Sequence, residues 1–123
     1  MKSLVMILGL MMLTSTTAVA VDSNGNYAVW GLGKKSCFGF TKEIVKEDSD
    51  KFKHYIKGFL TAYNIFTEKT YSISGKMNED DVIEWLTDYC GDNPMSGLET
   101  ALLSFTFDHY DKRMKSSGTA IGR

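Results

Sequence analysis

Residues 50–68, D-K-F-K-H-Y-I-K-G-F-L-T-A-Y-N-I-F-T-E, decide the class of fold. Phe52, Tyr55, Ile56, Phe59, Leu60, Tyr63 and Phe66 recur at helical spacing, and at 100° per residue they fall within an arc of about 140°. Such a stripe belongs to a helix with one buried side, so these residues are expected in the core, with Ser49 as the N-cap. Lys53, Lys57, Thr61 and Asn64 take the other side, where His54 reads as a solvated surface histidine.

Downstream, residues 71–76 read as a loop with a short extended stretch that ends in a glycine turn. Asn78 then caps a further helix whose first turn, Glu79, Asp80 and Asp81, places negative charge against the positive end of the helix dipole. Val82, Ile83, Leu86, Tyr89 and Cys90 form its buried side, and Gly91 is placed to end it. Asn93 as cap and Pro94 at the first helical position predict a last helix reaching Lys112 or beyond. Upstream, Cys37, Phe40, Ile44 and Val45 predict a short helix starting at Ser36 despite Gly39. Residues 21–35, with Gly25, Gly31 and Gly33, predict an extended arm whose strand-like piece, 27–30, is anchored by Trp30.

The first twenty residues have another character. Lys2 precedes an uncharged apolar run over 4–13, and Ala18-Val19-Ala20 has the small-residue pattern of a signal-peptidase site, so cleavage is expected after Ala20. The run is shorter than the roughly 20 residues that span a bilayer, and no cysteine follows the site for lipid attachment. The expectation is an exported, periplasmic protein with no membrane attachment in its mature form. Two cysteines in an exported chain most often pair, so Cys37 and Cys90 are expected to form a disulfide; two separate buried thiols remain the alternative. The fold expected is thus all-α: one small disulfide-braced domain of about four helices over 21–116, an extended N-terminal arm, and a flexible tail over 117–123.

The 123 residues carry 14 basic and 15 acidic side chains, and no stretch interleaves clustered Lys or Arg with aromatics, which argues against nucleic acid as a partner. Catalytic frameworks are missing from the sequence: there is no HExxH, GxSxG or glycine-rich phosphate loop, and one distant cysteine pair with two unclustered histidines is too little for a metal site. No enzyme activity and no cofactor are expected.

Two features point to binding. From Glu79 to Asp92 there are six carboxylates and no Lys or Arg, and Asp81, Glu84 and Asp88 form one helical stripe with Trp85 at its edge. An indole ringed by charge is how interfaces gain both affinity and on-rate; the alternative is that the acids serve solubility and Trp85 is ordinary core. The last helix carries two apolar stripes. Met95, Leu98, Ala101, Leu102 and Phe105 span about 120° and face the core, while Leu103, Phe107, Tyr110 and Met114 lie about 120 to 180° away from Leu98. A monomer rarely leaves such a strip open. A homodimer through Leu103, Phe107, Tyr110 and Met114 is the favoured covering, the arm with Trp30 and a different partner being the others.

Cys37, then Tyr55-Ile56-x-Gly58-Phe59-x-x-Ala62-Tyr63-Asn64, Trp85-Leu86-x-x-Tyr89-Cys90, and Asn93-Pro94 with Leu98 and Ala101, resembles the pattern of small exported helical proteins related to HdeA-type acid chaperones and to type VI secretion immunity proteins. The resemblance covers roughly residues 37 to 105 and is greatest to the immunity proteins that vibrios pair with a VgrG-type effector bearing a lysozyme domain. It implies a periplasmic immunity protein that binds a cognate peptidoglycan hydrolase effector stoichiometrically and blocks its active cleft; the acidic, aromatic-edged stripe of Asp81, Glu84, Trp85 and Asp88 is the surface expected to bind the effector. The alternative implied is a periplasmic acid-stress chaperone of the HdeA type. A longer segment between the cysteines and an extra C-terminal helix depart from the chaperone pattern.

Overall fold

The computed structural model describes residues 21–46 and 49–118; the expected signal peptide over 1–20 and the tail beyond Gly118 lie outside them. Four α-helices follow one another along the described residues: α1 (Cys37–Glu43), α2 (Asp50–Phe66), α3 (Glu79–Asp92) and α4 (Leu98–His109). Short 3-10 turns at Gly31–Lys34 and Tyr110–Lys112 flank them. The described residues contain no strand, only two isolated antiparallel bridges, Ser36 with Gly97 and Ser72 with Met114. None of the described helices is long and apolar enough to cross a membrane.

The core lies where α1 and α4 flank α3, with Phe52 and Ile56 of α2 inserted beside them. Phe40, Phe52, Ile73, Leu86, Leu98, Ala101, Leu102 and Phe105 are fully buried, and Phe40 meets Phe52 edge-on at 5.4 Å between ring centres. The Cys37–Cys90 disulfide joins the first residue of α1 to the last turns of α3, with their Cα atoms 4.7 Å apart.

The same end is closed by a reciprocal set of backbone hydrogen bonds. A helix leaves its first amides without partners inside the helix. In α1 the amides of Cys37 and Phe38 donate to the carbonyls of Ser96 and Pro94, at 2.7 and 3.0 Å, and Ser36 Oγ accepts from Gly39 at 3.2 Å. The first amide of α4, Leu98, donates back to the Lys35 carbonyl at 2.8 Å.

This closure corrects the expected start of the last helix. Asn93 ends α3 instead of opening α4: its amide and its Nδ2 both donate to the Tyr89 carbonyl, at 3.0 and 2.9 Å. Residues 94–97 turn so that their carbonyls reach α1, and α4 begins at Leu98 with Gly97 as N-cap. Met95 therefore lies outside the helix and is 92% exposed, not in the core stripe. Gly91 does not end α3, because the cap is supplied two residues later and Gly91 keeps helical backbone on an exposed side.

Helix α2 also departs from expectation at its ends. Ser49 stands at the N-cap position with helical φ and ψ and no side-chain cap hydrogen bond. Phe66, the last residue of α2, is 86% exposed and lies outside the core. The Asn78 cap of α3 is as the sequence predicts, and the structure adds a reciprocal bond that makes it a capping box, with Asp81 N donating to Asn78 Oδ1 and Asn78 N to Asp81 Oδ2.

In the arm, Trp30 is not the anchor, being 81% exposed. Gly33 is. It is buried against the Tyr55 hydroxyl and Val29, where any Cβ would collide with both. Gly33→Ala should destabilise the protein by about 1–3 kcal/mol. Removing the disulfide with Cys37→Ala and Cys90→Ala, at a sequence separation of 53, should cost about 4 kcal/mol in the chain-entropy account. Urea unfolding of each variant against the parent measures both losses.

Candidate functional site

Asp81, Glu84, Trp85 and Asp88 come together on one face of α3, at positions i, i+3, i+4 and i+7, and line a single open cleft with Met77. Trp85 is half-buried and held from three sides. Its ring stacks on Tyr89 at 5.5 Å with planes 13° apart, and meets Phe105 and His109 edge-on at 5.2 and 5.7 Å. His109 stacks in turn on Phe105 at 4.1 Å, with Nδ1 2.9 Å from the Phe105 carbonyl oxygen. Ring packing of this kind fixes the rotamer of the indole, so the edge of Trp85 in the cleft is ordered before any partner arrives.

The carboxylates of the molecule divide into two sets. Glu79 pairs with Lys57 at 2.8 Å and with Lys53 at 3.8 Å, and the Lys57 hydrogen bond holds its carboxyl below the usual glutamate range. Glu43 is held by Lys35 and Lys51, and its carboxyl too is lowered, chiefly by the Lys35 hydrogen bond. The basic side of α2 is thus matched by acids from α1 and α3. Glu84 and Asp88, by contrast, form no ion pair among the described residues.

A second cleft adjoins the first and shares Met77 and Asp81 with it, adding Lys76, His109, Lys112 and Met114. Residue spacing on α3 finds the acid stripe; it misses Met77, His109 and Lys112, which come from other elements. Met77 does carry a local signal: it precedes the N-cap and borders the same crevice as Val82, as in a hydrophobic staple. Among the described residues no group of His, Cys, Asp and Glu is arranged to hold a metal ion.

The second apolar stripe of α4 is divided. Phe107 is 85% exposed, Leu103 and Tyr110 are about two-fifths exposed, and all three border the groove between α2 and α4. Met114 lies beyond the 3-10 turn, where its backbone pairs with Ser72. The arm covers only one end of this groove, with residues 27–30 near Tyr55, Phe59 and Leu103.

Comparison with protein-family models, curated proteins and solved structures finds no match to this chain.

The lowered Glu79 and Glu43 carboxyls carry a pH dependence. A folded-state pKa below the unfolded value gives stability that is present above the unfolded pKa and lost as pH falls through the folded one. Glu79→Gln should therefore flatten the acid limb of thermal stability, read by melting curves between about pH 6 and pH 2.

Proposed function

We propose that the chain is a periplasmic immunity protein that binds a peptidoglycan-degrading, muramidase-type effector of type VI secretion and blocks its substrate cleft without itself making or breaking covalent bonds. The observation that carries this reading is the α3 face, where an indole packed among rings is flanked by Glu84 and Asp88 carboxylates that form no ion pair among the described residues. Hydrolases of an anionic wall polymer often carry a basic groove, and an acidic surface is steered to such a groove by the field. Trp85 supplies the apolar anchor, and the residues around it supply charge that desolvates against the partner's Lys and Arg. The resemblance over residues 37 to 105 points the same way.

Titration of the purified lysozyme domain of a VgrG-type effector with the mature chain tests the reading. Tight stoichiometric binding with loss of wall hydrolysis is expected, weakening as salt shortens the Debye length from about 10 Å toward 3 Å. The double substitution Glu84→Ala, Trp85→Ala should weaken it about 30-fold or more. Unchanged affinity would place the contact elsewhere on the chain; no binding and no inhibition would reject the function.

One observation favours a second reading, the acid-stress chaperone. Trp30, Phe66 and Phe107 stand more than four-fifths exposed, as a surface for unfolded clients would. That reading requires suppression of client aggregation below about pH 4, where carboxylates protonate, and none at neutral pH, which light scattering distinguishes.

A further inference from the structure

The groove between α2 and α4 lies apart from the acidic face of α3 and shares no residue with it. Two helix flanks border it, and they run in the same direction. Tyr55 and Phe59 lie beside Glu99 and Leu103 at one end, and Tyr63 beside Thr106, Phe107 and Tyr110 at the other. Phe66 extends the α2 flank one turn further.

We propose that this face is the interface of a two-fold dimer with a second copy of the chain. The area is of the right size. Trp30, Phe66 and Phe107 are 81, 86 and 85% exposed, and Leu103 and Tyr110 are 41 and 42% exposed. With aromatic side chains offering about 150–250 Å² each, the four aromatics together with a smaller share from Leu103 leave roughly 600–700 Å² open. That exceeds the largest apolar patch of an ordinary monomer and approaches the roughly 800 Å² that each partner contributes to a standard interface.

The shape is self-complementary, as a two-fold contact demands, because the same patch must serve both copies. It carries a projection and a recess side by side. Phe107, 85% exposed, forms one wall of a cleft of 390 Å³ whose other lining residues are Tyr63, Thr106, Tyr110 and Asp111. A cavity of about 150 Å³ already accepts benzene, so the phenyl ring of each copy has room in the cleft of the other. Tyr63, Phe66, Leu103, Phe107 and Tyr110 are uncharged; Asp111 stands in the wall of the receiving cleft beside Tyr110, over whose ring the Arg113 guanidinium lies at 3.8 Å, and Glu99 stands at the other end of the groove. The arm reaches only the Leu103 end, so in its own molecule it leaves the Phe107 end open.

Sedimentation equilibrium of the mature chain at about 100 μM, well above a micromolar Kd, tests this. The parent should give twice the monomer mass. Phe107→Glu and Phe66→Glu, one on each flank, should each give the monomer mass with an unchanged helical circular dichroism spectrum. Val45→Glu, an equally exposed apolar position outside both flanks, should remain dimeric. A monomeric parent overturns the proposal, and so does a dimer that survives both groove substitutions or is lost equally with Val45→Glu.

Discussion

The closed end of the molecule, where α1 meets the 94–97 turn and α3, is the constraint on which the remaining architecture rests. There the Cys37–Cys90 bond holds the start of α1 against α3, while the Cys37, Phe38 and Leu98 amides find their acceptors across the junction. Unpaired amides in the interior would cost about 1–3 kcal/mol each, so α1 and α4 are each completed by the other's flanking backbone. With that end tied, Phe40, Leu86, Leu98 and Leu102 converge into one core. The orientation of α3 is set as well, and with it the direction in which its acids face.

From this frame follows a division of labour among the helices. α3 gives Val82, Leu86 and Cys90 to the interior and presents Asp81, Glu84, Trp85 and Asp88 outward, an arrangement that comes from one period of 3.6 residues read from two sides. α2 gives only Phe52 and Ile56 to the fully buried core and keeps Tyr55, Phe59, Tyr63 and Phe66 on a flank beside α4. The proposed partner face and the proposed dimer face therefore use different residues.

Much of this is legible in the residues. The Asn78 cap, the acidic first turn, the stripe around Trp85 and the pairing of the cysteines are local or compositional features, and each is present in the structure. What eluded the reading are places where one segment answers another. Asn93 and Pro94 look like a helix start, yet their backbone serves the end of α3 and the start of α1. Trp30 looks like an anchor, yet the absent side chain of Gly33 fits beneath Tyr55 better than any ring could. Ile73, in a stretch that reads as a loop, is fully buried, with its amide held by Asn64 Oδ1 at 2.8 Å.

Taken alone, the order of residues determined the class of fold, the helix periods and which side chains share a helical face, because those depend on spacing along a single element. The tertiary structure alone decided where α4 begins, which aromatics of α2 escape the core, and that Met77 and His109 border the acidic cleft. Those outcomes depend on hydrogen-bond partners and neighbouring surfaces far away in the chain, and no local periodicity encodes them.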